Sequence, residues 1–134
     1  MSQENVEAVR SMYAGFSGLA HGGEIASFVA EHWDPECEYK PVEETVTIRG
    51  HDALIRWTER WLEVWDEYRD EIDEIIDADG IVVAAIRVHG RGRESRLEIS
   101  QRLFHVMELR DRRILRMREY LNRYQALEAA GLEE

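Results

Sequence analysis

The 134-residue chain is expected to form an α+β fold in which helices pack on one face of a strongly curved, mostly antiparallel sheet. Three observations predict it. Up to about Trp65 the apolar residues recur at helical spacing, from about Tyr68 the spacing changes to two, and short turn signals separate the later stretches without room for a helix between them. Helices first and then a meander of strands is the order of α+β architecture, not of alternating α/β architecture.

Each element follows from local pattern. Val6, Val9, Tyr13, Phe16 and Leu19 form one apolar stripe and predict a helix over 5–19, with Ser2 or Asn5 as its cap and His21-Gly22-Gly23 as its end. Ile25, Phe28 and Val29 predict a second helix over 24–32, closed by Asp34-Pro35 because proline restricts the residue before it. Residues 37–41 and 45–49 read as extended. Gly50-His51-Asp52 then opens a third helix that carries Trp57, Trp61 and Trp65 four apart. These three helices of the N-terminal half are the expected cover of the sheet. Long strands are predicted over 68–78, 81–90, 97–109 and 114–121, divided by Asp79-Gly80, by Gly90-Arg91-Gly92 and by a turn at Asp111-Arg112. A last short helix over 125–130 should end at Gly131.

Composition bounds the function. The chain fits one domain, 1–134, and its 44% hydrophobic residues are spread rather than gathered into a bilayer-spanning run. Met-Ser-Gln-Glu-Asn at the start lacks the basic and apolar regions of a secretory signal, and Cys37 is alone, so a reducing cytoplasm is the expected location. A formal net charge of −11 repels phosphate backbones and anionic lipids, which argues against nucleic acid and membrane as partners. The arginines around Arg110, Arg112, Arg113, Arg116 and Arg118 read as a solvated sheet edge. No His-Glu-x-x-His, Cys-x-x-Cys, nucleotide-binding glycine fingerprint or nucleophile elbow occurs, so no metal and no cofactor is expected.

The residue that stands out is Glu119. A period of two in Ile114-Leu115-Arg116-Met117-Arg118-Glu119-Tyr120-Leu121 places its carboxylate on the face of Met117 and Leu121, where a strand should bury apolar side chains. Burying a carboxylate costs several kcal/mol unless it is paired or protonated, so such a position is either stabilised or used. His105 interrupts the apolar run Leu103-Phe104-His105-Val106-Met107 in the same way and is a candidate cavity residue.

Several segments resemble a known family. Trp33-Asp34-Pro35-Glu36, Ile48-Arg49-Gly50-His51-Asp52-Ala53-Leu54, Val88-His89-Gly90-Arg91-Gly92 and the ending from Arg118-Glu119-Tyr120-Leu121-Asn122 to Gly131-Leu132 together resemble SnoaL-like proteins of the NTF2-like superfamily. The resemblance implies a cone: a bent sheet wrapped around a deep pocket closed by the helices, in a homodimer. It implies no single activity, because the superfamily includes isomerases, cyclases, dehydratases, an epoxide hydrolase and domains that only bind.

Comparison with the enzymes of that superfamily narrows the choice. Tyr13 matches the pocket tyrosine of ketosteroid isomerases, but Lys40 and Gln101 or Arg102 fall where those enzymes carry acids. Glu119 falls on the catalytic aspartate of polyketide cyclases. Arg118-Glu119-Tyr120-Leu121-Asn122 also resembles the ending of limonene epoxide hydrolase, whose Arg-x-Asp then falls on Arg87-Val88-His89 and whose water-holding tyrosine falls on Tyr39; Pro41 replaces a water-binding asparagine. The implied catalytic set is Glu119, His89 and Arg87, with Tyr13, Tyr39, Trp57, His105 and Met117 on the substrate-binding wall.

Such a set suits enolisation, cyclisation, dehydration or water addition on a hydrophobic oxygenated small molecule. Three readings stay open: a cofactor-independent enzyme, a non-catalytic ligand-binding pocket, and a dimeric scaffold whose cavity is filled by its own side chains. An inward Glu119 within reach of Arg87 or His89, in a cavity of several hundred Å³, is the expectation for the enzyme.

Overall fold

The structure is a computed structural model that describes residues 2–132. Helices α1 (Ser2–Leu19) and α2 (Ile25–His32) lead into strands β1 (Trp33–Lys40) and β2 (Ile48–Arg49), and α3 (Gly50–Glu63) follows. The meander β3 (Trp65–Ala78), β4 (Ile81–Gly92), β5 (Glu98–Arg110) and β6 (Arg113–Tyr120) comes next, and α4 (Arg123–Ala129) closes the described chain. The strands form one curved, unclosed sheet in the order β2-β1-β6-β5-β4-β3. All neighbours are antiparallel except β1 and β6, which run parallel. This is the α+β architecture that the change of apolar period predicts. No helix among the described residues is long and apolar enough to cross a membrane.

Four local expectations change. Helix α1 already starts at Ser2, so Asn5 lies inside it; the Ser2 side chain lies outside the described residues. Asp34-Pro35 does not merely end α2, because β1 begins at Trp33 and runs through both residues. Proline is tolerated there because the pairing with β6 is irregular between Trp33 and Glu38, where no ladder donor is required of it. The second extended segment keeps only Ile48 and Arg49 as strand. Finally, Gly90-Arg91-Gly92 is not a turn: β4 continues to Gly92, and the reversal falls over 93–96, with Arg96 N donating to Gly92 O at 3.0 Å. Gly90 serves packing instead, since a Cβ there would stand 2.7 Å from the Trp65 ring.

The other two hairpins form as the sequence suggests. Asp79 and Gly80 (φ 51° and 93°) and Asp111 and Arg112 (φ 51° and 65°) are two-residue loops with both positions left-handed, the geometry that matches strand twist. Asn122 caps α4 by accepting from Gln125 N at 2.8 Å, and Gly131 (φ 77°) ends it while Leu132 N reaches back to Leu127 O.

The sheet is buried on both faces over much of β4 and β5. Val82, Ala84, Ile86 and Val88 face inward with Leu103, Met107 and Met117, under a cover that includes Val9, Met12, Val29 and Leu54 from the first three helices. Val83, Ala85, Phe104 and Val106 face outward and pack with Ala126 and Ala130 at the α4 end. The cavity described next lies on the first of these faces.

Candidate active site

Between the inner face and the helices lies a cavity of ≈ 60 Å³, walled by Tyr13 from α1, Tyr39 from β1, Trp57 and Trp61 from α3, Tyr68 from β3, His105 from β5 and Glu119 from β6. It adjoins a wider vestibule of ≈ 660 Å³, with Glu43, Trp57, Trp61, Val88, Leu103 and Glu119 forming walls of both. Glu119 thus stands at the boundary between a narrow aromatic chamber and an opening large enough for a sizeable molecule.

The polar centre is a chain of three side chains. His105 and Glu119 are directly opposite each other on β5 and β6, and His105 Nε2 lies 2.8 Å from Glu119 Oε2. His105 Nδ1 lies 2.5 Å from the Tyr13 hydroxyl, and the two rings are stacked at 5.8 Å. An ionised carboxylate can only accept, so Nε2 carries the proton toward Glu119 and Nδ1 accepts from Tyr13. Tyr39 donates to the same Glu119 oxygen at 3.2 Å, and Val42 N donates to the other at 3.1 Å.

These contacts decide the protonation states. Burial raises the Glu119 pKa, but the hydrogen bonds from His105, Val42 and Tyr39 outweigh it and hold the carboxyl below its ordinary value. Burial, reinforced by nearby carboxylates, pushes the Tyr13 and Tyr39 hydroxyls well up, so both remain proton donors. The arrangement therefore holds an ionised carboxylate in an apolar chamber with three donors on it.

A second carboxyl borders the same chamber. Asp70, on β3, accepts from the Tyr68 hydroxyl at 2.7 Å, and its backbone N–H donates to Ser17 Oγ at 3.0 Å. Burial raises its pKa to about 6, opposed in part by the Tyr68 hydrogen bond. Asp70 lies between Tyr68 and Ile72 at the same period of two that exposes Glu119 as unusual. The signal was present in the sequence but was obscured by the many acids along β3. Glu43, from the irregular segment after β1, also reaches the chamber, and no local pattern announces it.

Of the residues singled out from sequence, Glu119, Tyr13, Tyr39, Trp57, His105 and Met117 line this one cavity. Arg87 and His89 do not join them. They lie on the outer face of β4, where Arg87 pairs with Asp73 at 3.4 Å and His89 with Glu71 at 3.0 Å. The expected contact of Glu119 with either is replaced by its contact with His105. Strand parity is the reason: Val82, Ala84, Ile86 and Val88 are the continuous apolar set, and the alternate positions end in Arg87 and His89.

Comparison with known proteins agrees with this architecture. No curated protein matches the chain. Among solved structures, a SnoaL-like candidate polyketide cyclase from Jannaschia sp. CCS1 superposes with a TM-score of 0.79 at 15% identity, covering 97% of this chain and 92% of that one. A protein with a ketosteroid isomerase-like fold from Catenulispora acidiphila DSM 44928, solved with trimethylamine, gives 0.71 at 13% identity, covering 91% and 93%. An LEH-like epoxide hydrolase from M. tuberculosis gives 0.73 at 17% identity, covering 96% and 90%. At these identities the likeness is one of fold. The profile of the SnoaL-like domain matches residues 9–117, most of the chain, and the protein therefore belongs to the SnoaL-like domain family.

Proposed function

We propose that the protein is a cofactor-independent small-molecule enzyme that performs acid/base chemistry on a hydrophobic oxygenated substrate. The observation that carries this reading is the Tyr13–His105–Glu119 chain inside an aromatic chamber. Glu119 accepts the proton, His105 and Tyr39 orient it, and Tyr13 fixes the His105 tautomer. Isomerisation, cyclisation, dehydration and epoxide opening all require such a proton acceptor. The chamber admits the reacting end of a substrate and the vestibule holds its bulk.

Folds of this kind also serve as plain binding pockets, and the aromatic walls of the chamber with its wide vestibule, which could hold a ligand without any chemistry, favour that as the second reading. Native mass spectrometry against epoxides, steroids, polyketide-like aromatics and amines, with conversion followed by chromatography, separates the two. Conversion by the wild type that Glu119→Gln and His105→Ala abolish while binding persists is the expected result. Binding by all three proteins without conversion would leave a carrier or sensor. The reading includes assembly as a homodimer, which sedimentation velocity tests, and a cytoplasmic location.

A further inference from the structure

Several carboxylates outside the chamber are matched by arginine: Asp34 with Arg110 at 2.8 Å, Asp66 with Arg91 and Arg96 at 3.1 and 2.9 Å, Glu74 with Arg123 at 2.7 Å and Glu38 with Arg49 at 2.7 Å. The chamber has three carboxyls, Glu43, Asp70 and Glu119, and neither arginine nor lysine among its walls. Its single basic group, His105, is committed to Glu119 and Tyr13. Tyr68 satisfies one Asp70 oxygen, and among the described residues no donor reaches the other.

An independent feature of the same chamber points the same way. Tyr39, Trp57, Trp61 and Tyr68 form a continuous aromatic wall: Tyr39 meets Trp57 edge-on at 5.1 Å, Trp57 stacks on Trp61 at 5.6 Å, and Trp61 meets Tyr68 edge-on at 5.9 Å. Aromatic faces carry negative potential and attract alkylated ammonium groups, whose methyls also fill apolar space. Carboxylates without a basic partner supply the complementary charge, and burial reduces the competing screening by water. Burial raises Asp70 to about 6, which still leaves it largely ionised at neutral pH. The vestibule adds Glu44 and only one arginine, Arg60.

We infer that the ligand of this chamber carries a positive charge, as a small apolar tertiary or quaternary ammonium group held by the Tyr39–Trp57–Trp61–Tyr68 wall and Asp70. The inference rests on the reading of the cavity as a small-molecule site and names its substrate class. It also excludes carboxylate- and phosphate-bearing molecules, which would face three carboxyls with no arginine or lysine in the chamber.

The test uses three molecules of one shape and different charge: choline, its neutral carbon isostere neohexyl alcohol, and anionic tert-butylacetate. Titrations at neutral pH are followed by tryptophan fluorescence, to which Trp57 and Trp61 respond directly. Choline is expected to bind about tenfold tighter than the alcohol, with tert-butylacetate weakest. In Asp70→Asn the choline preference should shrink several-fold while alcohol binding stays within about twofold, and an unchanged far-ultraviolet spectrum shows that the variant is folded. Equal or tighter binding of the alcohol, an undiminished preference in the variant, or no choline binding at millimolar concentration would overturn the inference. Glu119-dependent conversion of neutral oxygenated compounds would survive each of those results, so the two proposals fail separately.

Discussion

The two faces of the sheet solve the problem of buried charge differently. On the outer face and edges, several acids sit beside arginines, as with Arg123 and Glu74 or Arg110 and the buried Asp34. On the inner face, Glu119 is held by a histidine, a tyrosine hydroxyl and a backbone amide, and Asp70 by a tyrosine hydroxyl. A guanidinium brings a permanent positive charge to a carboxylate, whereas hydroxyl and amide donors stabilise it without adding one. The outer face thus carries arginine-paired acids, and the inner face holds carboxyls with neither arginine nor lysine beside them. Residues 86 and 87 mark the boundary: Ile86 is fully buried inside, and Arg87 points out to Asp73.

That contrast can be broken by mutation. The largest effect is expected at Ile86→Ala, which leaves a void in the inner core and should cost about 2–5 kcal/mol in chemical denaturation, whereas Arg87→Ala should stay within about 0.5 kcal/mol. Comparable losses at both positions would mean that the parity assigned to β4 is wrong.

Next comes Asp70→Asn, with the opposite sign. The folded-state pKa of Asp70 is raised to about 6. Against an unfolded value near 3.9, the ionised form therefore destabilises the fold by about 2–3 kcal/mol at neutral pH. The stability it withholds is fully present below pH ~4 and is lost as pH rises through about 6. Asp70→Asn should be more stable than wild type at neutral pH, and the gain should vanish below that window in urea titrations. Glu119, whose carboxyl is held below its ordinary value, behaves oppositely: its contribution is present above the unfolded pKa and is lost as pH falls through the folded one.

Smaller effects sharpen the remaining detail. Gly90→Ala would drive a methyl into the Trp65 ring and should lower stability by about 1–3 kcal/mol. Asn122→Ala removes the α4 cap and should cost about 1 kcal/mol. Thermal melts resolve both.

Much of this fold is legible from periodicity alone. Val9, Tyr13 and Phe16 announce α1, and the switch to period two at Tyr68 announces the meander. Two features were harder to read, one because it depends on a distant contact and one because strand parity had to be counted. The glycines at 90 and 92 look like a hairpin because the partner that needs Gly90, Trp65, is far along the chain. Likewise, Arg87 and His89 look available for catalysis until the apolar parity of β4 is counted against them. Within the site, Glu119 and His105 betray themselves as polar residues on apolar strand faces. That they face each other depends on the register of β5 with β6, which local sequence does not encode. Glu43 reaches the chamber from an irregular segment, where no period exists to read.

On the proposed function the inner Glu119–His105 pair, and not the outer Arg87 and His89, carries the chemistry. The most direct test measures turnover of the best substrate from the screen by Glu119→Gln and by the Arg87→Ala, His89→Ala double variant, side by side with wild type. Glu119→Gln should lose about a hundredfold or more of kcat, as expected for a removed general base, while the double variant stays within about threefold. Full activity in Glu119→Gln, or a comparable loss in the outer-face variant, would contradict it.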